Sequence, residues 1–255
     1  MILTIYNLAY YNKNMFLTYS IAKVSQFGKE GKEMKKCIVF DVDRTIVDSY
    51  KPELVSLQEA IENVTSRKVS EEEMKKLTSL PTNDFFKHLH LSDKEINLIN
   101  KEWEITFNKY KTKCFPGIKK IITDLYNSGY IICVITSRTA EEFNELDEEL
   151  NNILDCFKLV VTSDIVKSPK PNIESMTYLC KALELSEEDI IYIGDSEIDK
   201  AFAHNCSVCF IPACWENNEL KNEENACFSI DDLMRKINYY NGIENGIFPI
   251  RKQPR

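Results

Sequence analysis

The sequence lacks an excess of positive charge and lacks any long uninterrupted apolar run. Its 32 Lys and Arg residues are outnumbered by 40 Asp and Glu residues, for a net charge of -8, and its lysines are interleaved with glutamates. This balance argues against a general nucleic-acid or membrane-surface binder. The apolar, tyrosine-rich residues 1–27 are interrupted by Asn and Lys well before the roughly 18 residues of a membrane span, and they lack the basic start of a signal peptide. We therefore expect neither nucleic acid nor membrane as a partner.

The cysteine pattern indicates neither disulfides nor a zinc site. The nine cysteines are odd in number, and Cys133 and Cys209 fall inside apolar runs. Cys206 and Cys209 have the spacing of metal ligands, but no second pair or nearby His completes a zinc site. We therefore expect reduced core cysteines and a cytoplasmic location.

The chain length of 255 residues allows one good-sized core and a smaller appended module. Residues 1–33 do not match the rest of the chain in character, and Met34, with two lysines after it, directly precedes the first predicted strand. We expect translation to begin at Met34, so that residues 1–33 are either an upstream extension of the reading frame or a disordered tail.

The rest of the chain is organised around residues 37–49. An apolar run over residues 38–40 ends abruptly in acid, which is typical of a buried parallel strand that delivers functional groups at its carboxyl end. Asp41 and Asp43 are two residues apart, so their side chains leave an extended chain on the same side. Two carboxylates that close repel each other unless a cation lies between them or one is protonated. The pair indicates a Mg²⁺ site, with an acidic turn after a strand as the alternative.

Residues 51–113 are predicted to form an all-helical cap domain, because their apolar residues recur at helical spacing. Ser70 followed by Glu73, and Ser92 followed by Glu95, are capping boxes that begin two of the helices. Pro81 breaks the run between two helices. The loop around it supplies two candidate substrate contacts, Ser79 and Thr82.

From residue 114 on, apolar strands alternate with helices. Strands are predicted at residues 38–40, 130–135, 158–161, 190–193 and 208–211, and helices over residues 118–125, 140–154, 173–183 and 198–204. This alternation indicates right-handed crossovers and a doubly wound parallel sheet. The fold class is therefore α/β, with a core domain over residues 34–50 and 114–240 and a C-terminal tail over residues 241–255.

Polar groups follow each of the first four core strands, at the edge where ligands bind in such sheets. Taken singly, each has a plain structural explanation: a helix cap, a surface lysine in a loop or a common turn. Together they place an acid pair, hydroxyls, a lysine and a second acid pair at one edge. The residues after the second, third and fourth strands are Thr136 and Ser137, Lys170, and Asp195 with Asp199.

These motifs resemble those of the haloacid dehalogenase (HAD) superfamily over residues 35–235. The resemblance rests on four segments in the family's order, at residues 40–49, 134–137, 170–171 and 194–199. A helical cap between the first two motifs is similar to the subfamily of phosphoglycolate phosphatases, pyrophosphatases and beta-phosphoglucomutases. The resemblance implies a Rossmann-like fold and a Mg²⁺-dependent phosphatase that acts on a small phosphorylated metabolite through an aspartyl-phosphate.

The resemblance also implies a role for each matching residue. Asp41 would be the nucleophile and Asp43 the general acid and base. Asp41, the Asp43 backbone carbonyl and Asp195 would hold Mg²⁺. Thr136, Ser137 and Lys170 would hold the phosphate oxygens, while Asp199 would orient Lys170 or a metal-bound water.

Two positions depart from the family pattern. Arg44 replaces the usual Gly beside the catalytic loop, where it contacts the cap, contacts the substrate or points to solvent. Asn205 stands near the end of a helix that usually ends in Gly, and we expect it to take the left-handed cap conformation. A phosphosugar mutase and a non-catalytic binding protein remain alternative functions, and the protein is expected to be a monomer or a homodimer.

Overall fold

The computed structural model describes residues 36–77, 86, 88–216 and 219–242. Several predictions lie outside this part of the chain. They are the extension at residues 1–33, the loop contacts Ser79 and Thr82, the break at Pro81, and most of the tail.

Within the described residues, seven strands, numbered in chain order, form two sheets. Five parallel strands have the order β5-β4-β1-β6-β7, which confirms the doubly wound α/β core. They are β1 (Cys37–Phe40), β4 (Ile131–Ile135), β5 (Phe157–Val161), β6 (Ile190–Gly194) and β7 (Cys209–Pro212). The other two, β2 (Val47–Asp48) and β3 (Lys113–Cys114), form a small antiparallel sheet that the sequence did not predict.

Alternation along β1 divides the core between the two faces of the sheet. Ile38 and Phe40 belong to one buried cluster, and Cys37 and Val39 belong to the other. Helices α4 (Ile118–Asn127) and α9 (Ile230–Tyr240) cover the first face, while α7 (Glu174–Leu183) and α8 (Glu197–Asn205) cover the second. Because β1 is buried on both faces, its apolar residues run without interruption until Asp41.

Between β2 and β3 the chain forms helices that have a separate apolar cluster. These are α1 (Tyr50–Thr65), α2 (Glu71–Leu77) and α3 (Asp93–Phe107). Ser92 and Glu95 form the predicted capping box at the start of α3, and the Ser70 hydroxyl accepts the Glu73 N–H at 3.1 Å. The indole of Trp103 donates to the Ser56 hydroxyl at 2.9 Å and ties α3 to α1. Among the described residues, no helix combines the length and the apolar composition that a membrane crossing requires.

The single helix predicted over residues 140–154 is wrong. The structure has two short helices, α5 (Ala140–Asn144) and α6 (Asp147–Leu150), followed by a 3₁₀ turn at Leu154–Cys156. The chain turns at Leu146, which has φ -87° and ψ 0°. Leu146 at this turn and Phe143 before it are both buried in the core, so packing of these two side chains accompanies the break.

The expected left-handed conformation of Asn205 is also wrong. Asn205 is the last residue of α8, and its side-chain amide donates to the Pro171 carbonyl at 3.0 Å. The left-handed residue is Ser207, with φ 57°. The N–H groups of Ser207 and Val208 donate to the carbonyls of His204 and Ala203, at 3.0 and 3.1 Å. This is a Schellman ending with serine in the usual glycine position.

Candidate active site

The candidate site lies at the carboxyl edge of the three central strands. Phe40, the last residue of β1, is in register with Val134 on β4 and with Ile193 on β6. The Asp41 N–H continues this pairing by donating to the Ile193 carbonyl at 2.8 Å. The residues that follow these strands therefore emerge side by side, as the sequence predicts.

A buried lysine joins two of the predicted acidic residues. Lys170 Nζ lies 2.6 Å from Asp41 Oδ1 and 2.8 Å from Asp199 Oδ1. It also donates to the Tyr192 hydroxyl at 3.1 Å, and that hydroxyl donates to Asp199 Oδ1 at 2.8 Å. The second Asp199 oxygen accepts the Ser196 hydroxyl at 2.6 Å. The peptide bond from Lys170 to Pro171 is cis.

Burial and charge shift the pKa values of these groups in opposite directions. Burial raises the pKa of Asp41, an effect that Lys170 opposes and that Asp199 and Asp195 reinforce. Burial alone would lower the pKa of Lys170, but Asp199 and Asp41 outweigh it and hold the pKa well above its usual value. Burial would raise the pKa of Asp199, but contact with Lys170 lowers it. Asp41 and Asp199 therefore share one lysine, and the charge of Asp195 acts on Asp41 as well.

Three of these carboxylates lie close enough together to hold a cation. Oxygens of Asp41, Asp195 and Asp199 lie within 4.8 Å of one another, and the three residues are only 6, 4 and 2% exposed. Mg²⁺ prefers carboxylate and carbonyl oxygens, so the donor atoms fit such an ion. The Asp43 side chain points elsewhere, which is compatible with the expectation that Asp43 contributes its backbone carbonyl.

Asp43 forms a bidentate ion pair with Arg138. Arg138 Nη2 lies 2.7 Å from Asp43 Oδ1, and Nε lies 2.9 Å from Oδ2. The Arg138 side chain is 8% exposed and that of Asp43 30%. Burial would lower the pKa of Arg138, but the hydrogen bonds and charge of Asp43 raise it. The carboxylate of Asp43, the proposed acid and base, is thus held by an arginine in the turn after β4.

The two predicted phosphate-binding hydroxyls have different environments. Thr136 is 4% exposed, and its hydroxyl accepts the Arg138 N–H at 3.1 Å. Ser137 is exposed at the end of β4. Thr136 is therefore a fixed part of the turn after the strand, whereas Ser137 is accessible to solvent.

Arg44 contacts the first inserted helix, one of the three alternatives left open by the sequence. Its Nε and Nη2 lie 3.1 and 2.5 Å from Glu53 Oε2, and its guanidinium lies 5.4 Å from the centre of the Tyr50 ring. The Ser49 hydroxyl donates to the other Glu53 oxygen at 2.5 Å. Arg44 therefore connects the turn after β1 to the start of α1.

Sequence analysis assigned no role to two residues that contact the predicted site. Arg138 is a large cation directly after the hydroxyl pair at a strand end, and Tyr192 is the one residue with a polar tip in the otherwise aliphatic β6. These features identify the residues as unusual. Their contacts with Asp43 and Lys170 join positions 95 and 22 residues apart, so the contacts themselves emerge only in the fold.

Comparison with known proteins gives a consistent family assignment. The family model for haloacid dehalogenase-like hydrolases matches residues 38–213. A phosphoglycolate phosphatase of Vibrio cholerae is 24% identical over 67% of this chain and 80% of its own length. The pyrophosphatase PpaX of Bacillus mycoides is 20% identical over 70% of this chain and 83% of its own.

The fold has a counterpart among solved structures. A haloacid dehalogenase-like family hydrolase from Streptococcus pneumoniae superimposes with a TM-score of 0.63. The match covers 75% of this chain and 92% of that protein, at 18% sequence identity. At that identity the likeness concerns the fold alone.

Proposed function

The chain belongs to the haloacid dehalogenase-like hydrolases, and we propose that it is a Mg²⁺-dependent phosphatase of a small phosphorylated metabolite. The substrate class is a phosphoglycolate-like compound or a sugar or nucleotide monophosphate. The names of the relatives, phosphoglycolate phosphatase and pyrophosphatase, support phosphate ester or anhydride cleavage.

The observation that carries this proposal is the buried contact of Lys170 with both Asp41 and Asp199. A carboxylate at the end of the central strand is available to attack, and a cation lies 2.6 Å from it. A nucleophile and a fixed positive charge at this distance suit a reaction in which negative charge moves through a phosphoryl group. An acidic turn with no chemical role would not require a lysine buried between two carboxylates.

In the first step, Asp41 attacks the phosphorus atom of the substrate. The bond from phosphorus to the leaving oxygen breaks, an aspartyl-phosphate forms on Asp41, and Asp43 gives its proton to the leaving oxygen. Lys170, Thr136 and Ser137 hold the phosphoryl oxygens as the transfer proceeds.

In the second step, water displaces the phosphoryl group from Asp41. The Asp43 carboxylate accepts a proton from the water as the new bond to phosphorus forms. The bond to Asp41 breaks, inorganic phosphate leaves, and Asp41 is again a carboxylate. Asp199 keeps Lys170 in place through its contact at 2.8 Å.

Asp41, the Asp43 backbone carbonyl and Asp195 would hold Mg²⁺ beside these groups, with Asp199 close by. When bound, the ion neutralises the carboxylates and polarises the phosphoryl oxygens. The buried oxygens of Asp41, Asp195 and Asp199, which lie within 4.8 Å of one another, support this requirement for a cation.

A cytoplasmic location belongs to the same proposal. All nine cysteines are free, as expected of a protein kept in a reducing compartment.

Turnover of para-nitrophenyl phosphate by the full-length protein tests the proposed function. We expect activity with Mg²⁺, loss of activity with a chelator, and a loss of about 10⁴-fold in Asp41→Asn. Asp124→Asn is the matched control, since Asp124 pairs with Lys120 on the exposed side of α4, and it should keep wild-type activity. Activity that persists in Asp41→Asn would contradict the proposal.

A further inference from the structure

Arg138 is held on three sides. Its Nη2 and Nε donate hydrogen bonds to Oδ1 and Oδ2 of Asp43, at 2.7 and 2.9 Å. Its remaining terminal nitrogen, Nη1, donates to the Glu142 carbonyl in α5 at 3.3 Å. Phe107 is the last residue of α3, and the centre of its ring lies 5.6 Å from Arg138 Cζ. These contacts restrict rotation of the Arg138 side chain. They also restrict rotation of the Asp43 carboxylate to which it is bonded.

The geometry of the pair fixes direction as well as distance. A planar guanidinium that meets a carboxylate through two parallel N–H···O bonds sets the plane of that carboxylate, which a lysine ammonium does not. Each carboxylate oxygen keeps a further lone pair, so Asp43 can still accept a proton from water. Since Asp43 remains 30% exposed, solvent water has access to it.

We propose that Arg138 is a positioning residue that aims the Asp43 carboxylate at the water that attacks the aspartyl-phosphate. The inference rests on the proposed function and extends it to a residue that touches neither Asp41 nor Lys170 among the described contacts. In this step water forms a bond to phosphorus and gives its proton to Asp43, and the bond to Asp41 breaks. Arg138 itself exchanges no proton.

The inference predicts a separation between the two half-reactions. With an activated aryl phosphate, the leaving group departs without protonation, so kcat/KM reports transfer to Asp41 and does not depend on Asp43. Hydrolysis of the aspartyl-phosphate still needs the Asp43 carboxylate in its correct orientation. A variant in which the Asp43 carboxylate is no longer oriented should therefore have a lower kcat and accumulate phosphoryl groups on the enzyme.

The test compares Arg138→Met, Arg138→Lys and Asp43→Asn with the wild type, using para-nitrophenyl phosphate. We expect Arg138→Met to lower kcat by about 100-fold while kcat/KM changes little. Acid-quenched Arg138→Met should carry a phosphoryl group on Asp41, as Asp43→Asn should. Arg138→Lys keeps the positive charge but cannot form the two parallel hydrogen bonds to Asp43. Its kcat should therefore lie between those of Arg138→Met and the wild type.

A matched control is Arg235→Met, since Arg235 pairs with Asp232 on the surface of α9 and its side chain is 76% exposed. It should leave kcat and phosphoryl content unchanged. Loss of kcat and kcat/KM together in folded Arg138→Lys, with no phosphoryl group on Asp41, would overturn the inference. A rise in KM confined to substrates with charged leaving groups would overturn it too, because Arg138 would then contact the substrate. Failure of the wild type to turn over would instead reject the proposed function.

Discussion

The backbone at Arg44 is left-handed, with φ 56°. Side chains other than glycine are strained in that region, which accounts for the glycine that the family usually has there. This chain instead has an arginine whose side chain pairs with Glu53 on α1. Glu53 is mostly buried, and burial raises its pKa while Arg44 opposes the rise. The ion pair links the turn after β1 to the start of α1.

Replacing Arg44 separates the strain from the ion pair. Arg44→Ala and Arg44→Gly both lose the contact with Glu53, but only alanine keeps a Cβ at positive φ. We expect Arg44→Gly to be more stable than Arg44→Ala by about 1 kcal/mol, measured by urea unfolding. At Arg235, inside α9, the order should reverse, because glycine costs about 1 kcal/mol relative to alanine in a helix. Equal stability of the two Arg44 variants would show that the turn is not strained.

At the scale of single elements, the end of β6 sets the position of Asp199. A Cβ added to Gly194 would lie 2.5 Å from Asp199 Cγ and 2.6 Å from its Cβ. Such distances require one of the two segments to move. The absence of a side chain at Gly194 thus allows α8 to approach the strand closely enough for Asp199 to reach Lys170.

Gly194→Ala should therefore reduce both stability and activity. We expect a loss of about 1–3 kcal/mol in the free energy of unfolding and a fall in kcat/KM for para-nitrophenyl phosphate, because Asp199 would be displaced from Lys170. Gly242→Ala is the control: its added Cβ meets nothing within 4 Å, although φ is +67°. It should cost stability without loss of activity. Wild-type activity in Gly194→Ala would show that the position of Asp199 tolerates movement.

Sequence analysis identified the elements of the core because their patterns are local. The five strands are apolar runs bounded by polar residues, and the parallel arrangement then brings their carboxyl ends to one edge. The break between α5 and α6 has no such pattern. Neither glycine nor proline marks it, and the turn at Leu146 depends on packing against a core that only the complete fold provides.

The helix end at residues 205–207 shows the same limit. Asparagine adopts left-handed conformations readily, but Asn205 remains helical and bonds to Pro171, 34 residues away. The pair of Asp43 and Arg138 spans 95 residues. Contacts of this range decide which polar residue serves which function, and spacing in the sequence does not specify them.

At the scale of the whole molecule, both ends of the helical insert meet arginines that flank the site. Tyr50, at the start of α1, lies against Arg44, and Phe107, at the end of α3, lies against Arg138. Arg44 follows Asp43 in the chain, and Arg138 grips its carboxylate. The insert is thus joined to the region of the proposed acid and base at both of its ends.

The central claim, that Asp41 carries the phosphoryl group, is tested most directly by trapping that group. Asp43→Asn should accept phosphate from para-nitrophenyl phosphate in the presence of Mg²⁺ but release it slowly, because no carboxylate activates the water. After acid quenching, mass analysis of peptides should locate one phosphoryl group on Asp41, and the double variant Asp41→Asn, Asp43→Asn should carry none. Release of para-nitrophenol by Asp43→Asn with no phosphoryl group on Asp41, or with the group on another residue, would contradict the account.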